Sequence, residues 1–355
     1  MLSRLTKSTR LSAVPLRTIL WYFSAPVAAT TIALVLGAII IAALGANPLA
    51  AYEALLVGAL GTKYGLALTI VRTAPLVFAG LAVAVPRRSG LFNIGAEGQL
   101  QLGGLVAAAA ALTHQNFAVG LLGAIVAGAL WAGLAGYLRA WHGVNEVIST
   151  IMLNSVAIGI VLLAVQGPLG KQGATYPTTG ALPADSLLPF VIPDMRIHAG
   201  VALAGLALLI SWWLLFRTTI GYRMRAVGLN PVAAHHAGIS VPSVMFMSML
   251  VGGAWAGLAG ACEVLGVQNQ LAQDWSSGWG YTGIVVAFLG GSHPGGIALV
   301  ALFYGVINAG ASNMQFTTGV PGAIVPVIQG LPVLFLVLFV SWRSLPSTRR
   351  RRLAV

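Results

Sequence analysis

Charged side chains are scarce in this chain. Asp, Glu, Lys and Arg make up 7% of its 355 residues, where a soluble domain carries about a quarter. A surface with so few water-seeking groups excludes a soluble globular protein and makes the bilayer its solvent. Cysteine is nearly absent: Cys262 stands alone in an apolar run. That excludes a disulfide framework and a thiolate metal site. Neither H-E-x-x-H nor G-x-S-x-G occurs, and no nucleophile–base or metal set converges, so no catalytic residue and no metal ligand is assigned. A Walker A loop is missing as well. The nearest stretch, Gly167 to Gln172, lacks its spacing and its Ser/Thr. The chain therefore has no phosphate cradle of that kind. No small-residue cleavage site follows a short apolar core near the N-terminus, so residues 1–25 read as a cytoplasmic tail rather than a signal peptide.

Hydrophobic residues, by contrast, make up 58%. Each helical span needs about 20 mostly apolar residues, so this length holds roughly ten spans. Apolar runs place them near 26–46, 66–85, 94–113, 118–138, 146–165, 199–216, 242–266, 281–292, 296–311 and 322–342. The expected fold class is an all-α integral membrane protein with about ten transmembrane helices. The eighth run is short and is broken by Gly290, Gly291, Pro294 and Gly295. It reads as a half-helix, which needs protein or a water-filled cavity around it.

The formal charge is +12, and its distribution argues for membrane orientation rather than nucleic-acid binding. With the N-terminus inside and strict alternation, the inside segments hold most of the basic residues. These are Arg4, Lys7, Arg10, Arg17, Arg87, Arg88, Arg139, Arg217, Arg223, Arg225, Arg343 and the run Arg349 to Arg352. The outside segments hold only Lys63, Arg72, Lys171 and Arg196. Basic residues favour the cytoplasmic side, so both termini are expected there. The transmembrane domain is 26–342, followed by a basic tail, 343–355.

Two loops stand out. The outer loop 166–198 carries Pro168, Pro177, Pro183, Pro189 and Pro193; it reads either as a docking surface for an extracytoplasmic partner or as a passive cap. The inner loop 217–241 reads RTTIGYRMRAVGLNPVAAHHAGISV. Asn230 suits an N-cap, Pro231 the first helical position and Gly238 the residue past the C-terminus. One short helix of about two turns is expected, fit for a groove in a partner or for the bilayer surface. Arg223 and Arg225 could meet lipid phosphates in either case. His235 and His236 diverge by about 100° on a helix and do not face a common metal.

This loop resembles the coupling segment of ABC importer permeases. The segments GLFNIGAEGQLQLGG and NEVISTIMLN resemble the permease family serving simple sugars and nucleosides, and most of all the longer permease of nucleoside importers. The resemblance runs from about residue 50 to 340. It implies a type II ABC importer-like permease of the bacterial inner membrane. It also implies a separate ATP-binding subunit that uses ATP and Mg, a second and shorter permease subunit, and an extracytoplasmic substrate-binding lipoprotein. The residues expected to couple to the ATPase are Gly221, Arg223, Arg225, Gly228, Asn230, Pro231, Ala233, Ala234 and Gly238. The expected cargo is a nucleoside, with ribose or another simple sugar as the alternative. An ion-coupled secondary transporter is the rival of another class, but no sequence repeat supports it.

Polar residues inside apolar runs mark the candidate pathway. Asn93 and Glu97 lie among Gly90, Gly95, Gly98, Gly103 and Gly104. Asn93 could cap the third span and Glu97 could complement its N-terminal dipole. Alternatively, both border the pathway or its inner gate. Glu146, Thr150 and Asn154 recur every fourth residue and share one helix face, which faces protein or a cavity rather than lipid. Tyr304, Asn308 and Ser312 make a similar stripe. Glu263 and Asp274 could meet a partner's basic residues, and Arg72 could snorkel outward.

Overall fold

A computed structural model describes the backbone of residues 16–344 and the side chains of residues 27–338. Arg4, Lys7, Arg10 and Arg349 to Arg352 lie outside the described residues. The apolar runs form helices, since a helix satisfies its own backbone hydrogen bonds without water. In chain order these are α1 (Leu16–Ala43), α2 (Pro48–Leu60), α3 (Lys63–Arg87), α4 (Ala96–His114), α5 (Phe117–His142), α6 (Glu146–Gln166) and α7 (Ala199–Arg217). There follow α8 (Thr219–Leu229), α9 (Pro231–His236), α10 (Val241–Glu263), α11 (Trp279–Leu289), α12 (Pro294–Thr318) and α13 (Ile324–Ser344). A π turn, Val264–Gln268, prolongs α10. Among the described residues, strands occur only as a small antiparallel hairpin of β1 (Phe190–Ile192) and β2 (Ile197–His198).

Six helices, α3, α5, α6, α7, α10 with its π turn, and α12, are each long and apolar enough to cross a membrane. Together α1 and α2 make a seventh candidate, bent by 116° at the break between them. Glu97, Gln99 and Gln101 lower the hydropathy of α4, which still follows the third apolar run. The eighth run is α11, a half-helix of 11 residues. It ends in a turn where Gly291 and Ser292 both have positive φ.

Two helices were not expected from the sequence. Asn47 and Pro48 start α2 by the same cap signal as Asn230 and Pro231, with the Asn47 side chain accepting from the N–H groups of Leu49 and Ala50. The inner loop holds two helices rather than one. Thr218 caps α8 by accepting from the N–H of Gly221, and α9 follows after Asn230.

The core lies around α3, which is buried along most of its length, with Leu76, Phe78 and Leu81 fully enclosed. On one side α4, α5 and α10 meet through small residues. A Cβ on Gly257 would collide with the carbonyl of Ala124, and one on Gly253 with that of Gly128. Their absence lets the α5 and α10 backbones touch, the close approach by which helices pack in lipid.

The outer loop is tied to the segment that follows α10. Thr179 and Leu182 donate backbone N–H groups to Leu271 and Asn269, and Gln273 donates to Pro177. His198 closes the hairpin and caps α7 through Nδ1, which accepts from Gly200 at 3.1 Å. Burial pushes its pKa down to about 4, so the ring stays neutral and keeps this acceptor.

Candidate functional site

Five of the six pathway candidates come together where the segment before α4 passes between α6 and α11. Asn93 is fully buried. Its Nδ2 donates to the Ala82 carbonyl on α3 and to Gln99 Oε1, both at 3.0 Å. Its Oδ1 accepts from the Gly95 N–H at 3.0 Å and from Gln99 Nε2 at 2.9 Å. The N-cap of α4 is Gly95, which makes no side-chain cap bond. The expected Asn93 cap is thus replaced by an Asn93–Gln99 amide pair that fastens the turn to α3.

Glu97 does lie in the first turn of α4, yet its strongest bond serves another helix. Its Oε2 accepts from the Gly280 N–H at 2.8 Å, in the first turn of α11. Gly278, the N-cap of α11, offers no side chain, so Glu97 supplies the cap and the negative charge that a helix N-terminus favours. Only glycine fits at 280, because a Cβ there would overlap the backbone of Glu97. Gln101 Nε2 adds a longer bond to Glu97 at 3.4 Å.

On α6, Asn154 bridges to the same segment. Its Oδ1 accepts from the Gly98 N–H at 2.8 Å, and its Nδ2 donates to the Ile94 carbonyl at 3.0 Å. The same Nδ2 lies 3.5 Å from the Tyr281 hydroxyl. Thr150 bonds within its helix, donating to the Glu146 carbonyl at 2.6 Å. Glu146 pairs with Arg139 at 3.3 Å and accepts from the Phe92 N–H at 3.4 Å. The shared face of α6 thus faces protein rather than lipid, with Asn154 only 2% exposed.

Tyr281, which sequence reasoning missed, forms the open edge of this cluster. It is 46% exposed, whereas Phe92 and Phe288, 5.4 Å apart at the other end of α11, are half-buried. Gln99 was missed too. An aromatic at the start of the half-helix was the available signal for Tyr281. No spacing rule pairs Asn93 with Gln99.

Asn308 lies elsewhere. It accepts from Gln329 Nε2 on α13 at 3.1 Å, while the Tyr304 hydroxyl donates to the Gln329 carbonyl at 2.5 Å. Ser312 is exposed. That stripe joins α12 to α13 and does not reach the cluster.

Two further expectations change. Arg72 does not snorkel outward. It pairs with Glu263 at 3.7 Å and sits 5.7 Å over the Trp279 ring. Glu263 is 1% exposed and also accepts from Gln268, so no partner's basic residue can reach it. Asp274 accepts from Gln273 Nε2 at 3.4 Å, and its backbone N–H meets the Tyr176 hydroxyl.

The coupling candidates form a second site at the chain end that holds Arg87 and Arg88. Gly228 of α8 lies against the Arg88 carbonyl, too close for any side chain, and Gly221 lies equally close to Leu214. Asn230 Oδ1 accepts from the Ala233 N–H at 3.0 Å, and Gly238 takes the positive φ that ends α9. Ala234 is buried against the chain. Pro231, Val232, Ala233, His235 and His236 are exposed. Leu229 is 87% and Val232 65% exposed. Arg223 is exposed, and Arg225 reaches back to the Gly221 carbonyl. Among the described residues, no group of three His, Cys, Asp or Glu is placed to hold a metal ion.

The family described as the branched-chain amino acid transport system permease component matches residues 65–338. The chain belongs to this family. It is thus a multi-pass membrane permease of the ABC type, and the helices just described are those of that permease. Among its relatives is the guanosine ABC transporter permease NupP of Bacillus subtilis, 37% identical over 88% of this chain and 92% of its own. The glucose ABC transporter permease TsgB13 of Haloferax volcanii is 36% identical over 89% and 87%. The nucleoside ABC transporter permease NupB of Lactococcus lactis subsp. cremoris is 34% identical over 91% and 93%.

Proposed function

We propose that this permease imports nucleosides, handed over by an extracytoplasmic binding lipoprotein and moved by a separate ATPase subunit that binds ATP and Mg. The observation that carries the reading is the open edge of the buried cluster. There an exposed tyrosine ring stands beside an asparagine amide, 3.5 Å from hydroxyl to Nδ2. A ring face suits a nucleobase, and hydroxyl and amide groups donate to or accept from ribose hydroxyls and base edges. The guanosine and nucleoside cargoes of two relatives support the same choice. The glucose cargo of the third supports a second reading, in which the same edge serves a simple sugar.

Tyr281 is exposed beside the buried cluster, so a second, shorter permease subunit would complete the pathway between the two chains. Asn93, Glu97, Glu146, Thr150 and Asn154 would then hold the pathway wall in place, and Tyr281 would face the cargo. Asn308 would brace α12 against α13. The chain itself performs no chemistry on its cargo. Exposed Leu229, Val232 and Ala233 would enter the ATPase, with Gly221, Gly228, Asn230, Pro231, Ala234 and Gly238 shaping the helix pair. With α9 turned toward the ATPase, both termini would lie in the cytoplasm, beneath a bacterial inner membrane.

Uptake of labelled guanosine, adenosine, ribose and glucose is the test, in cells with and without the permease and with the ATPase and binding protein present. Permease-dependent guanosine or adenosine uptake that resists excess ribose and glucose is the expected result. Sugar uptake without nucleoside uptake would move the cargo to simple sugars.

A further inference from the structure

Three guanidinium groups and one imidazole gather at the end of the molecule that carries α8. Arg87 and Arg88 close α3, Arg225 comes from α8, and His293 caps α12. Arg88 and Arg225 both sit over the Phe216 ring at the end of α7, at 5.6 and 5.4 Å, and His293 lies 5.2 Å from the same ring. Arg87 stacks 4.0 Å over Phe288. Among the described residues none of the three arginines forms a salt bridge with a carboxylate. Their hydrogen bonds go to neutral groups. Arg88 donates to the Ser292 and Gly291 carbonyls, Arg87 to Ser292 Oγ, and Arg225 to the Gly221 carbonyl. A guanidinium has five N–H donors, so most remain open. Like charges held this closely repel one another, and an anion would relieve that repulsion.

The position of the cluster identifies the anion. The outward face of α7 carries exposed Leu206, Leu209, Ile210, Trp212 and Trp213. That face is apolar for most of its length and ends in two tryptophans, with Arg217 over Trp212 at 5.3 Å. Tryptophan collects at the level of lipid headgroups. Phe216 lies one turn beyond Trp212 and Trp213, so the ring that gathers the arginines sits where a bilayer gives way to water.

We propose that Arg88 and Arg225, over Phe216, together with Arg87, which shares Ser292 with Arg88, bind the phosphate of an anionic phospholipid and so tie the α8–α9 pair to the inner leaflet. Bidentate guanidinium–phosphate bonds supply the recognition. Because α8 carries α9, an occupied site would hold the coupling helix at a fixed height beneath the membrane. The inference rests on the membrane placement of the family and not on the cargo, so failure of either leaves the other standing.

The test uses the full chain, purified in a mild detergent and titrated with dioleoyl phosphatidylglycerol or dioleoyl phosphatidylcholine. Bound lipid is counted by native mass spectrometry. Arg88 is left intact because it holds the 291–292 turn. The unaltered chain should prefer phosphatidylglycerol, and that preference should fall roughly fivefold for each arginine neutralised. Arg225→Gln should therefore show one step and the pair Arg87→Gln, Arg225→Gln two, whereas Arg196→Gln at the opposite end should leave it unchanged. Arg225→Gln removes one bond within its own helix and the contact with the Phe216 ring, so it remains informative if the double variant does not fold. Equal affinity for the two lipids, or an unchanged preference in Arg225→Gln, would overturn the proposal. So would loss of the preference in millimolar inorganic phosphate, which would mark a free-anion site. Retained lipid preference with lost ATPase binding would assign the arginines to that partner instead.

Discussion

Asn154 and Asn230 are both asparagines whose Oδ1 accepts a backbone N–H, yet the two bonds point in opposite directions. Asn154 reaches from α6 to Gly98 of α4, 56 residues away in sequence. Asn230 reaches Ala233, three residues on in its own helix. The first bond ties separate helices together and is buried. The second makes α9 complete in itself and leaves its outer face uncommitted. The cluster around Asn154 therefore owes its shape to the rest of the chain, whereas α9 carries its shape with it. One is suited to hold a wall in register, the other to be presented to a partner.

Breaking the buried bridge should have the largest effect. Asn154→Ala leaves the Gly98 N–H and the Ile94 carbonyl without their partner, and each such loss costs about 1–3 kcal/mol. A clear fall in the thermal midpoint of the purified protein is expected, together with a loss of uptake. Unchanged stability would mean that the bridge is dispensable and that Asn154 acts only on cargo.

Glu97→Gln is a gentler change and sharpens the comparison. The amide oxygen can still accept from Gly280, so the cap on α11 persists while its charge is lost. The dipole contribution at stake is about 0.3–1 kcal/mol, rising to ~2 in partly buried geometries. Uptake should fall more than assembly with the ATPase, because α11 carries Tyr281 to the open edge. Equal losses in uptake and assembly would reduce Glu97 to a structural cap.

Much of this was legible in the sequence because it is local. Apolar runs, the broken half-helix and the Asn230–Pro231 start are all signals within a few residues. The polar stripe on α6 showed that its face avoids lipid, but not what it meets. Neither the Glu97–Gly280 cap nor the Arg72–Glu263 pair could be read, since each joins positions 183 or more residues apart. Some local signals were also overlooked. Asn47–Pro48 starts α2 just as Asn230–Pro231 starts α9, but it directly follows the apolar run 26–46 and is hidden by it. Within the inner loop, Gly221 and Gly228 allow α8 to lie close against its neighbours.

On the exposed pair, the comparison predicts a split between adjacent alanines. Ala233 faces outward and Ala234 is buried. Ala233→Trp should leave the thermal midpoint within about 0.5 kcal/mol equivalent and weaken ATPase binding by roughly tenfold or more, as expected at a packed interface centre. Ala234→Trp should instead displace α9 and lower the midpoint itself. Equal behaviour of the two variants in both assays would show that α9 does not present one face to its partner.

The smallest effect should come from Asn230→Ala. The change removes the acceptor for the Ala233 N–H, a cap contributing about 1 kcal/mol. That N–H lies at an exposed helix start, where water can replace the lost partner, so the purified chain should lose little stability. Its α9 should fray, however, and hydrogen exchange at Ala233 and Ala234 should quicken while exchange at Gly98 stays slow. If Gly98 quickened equally, the two asparagines would belong to one cooperative unit, and the distinction between a wall held by its neighbours and a helix held by its own cap would fail.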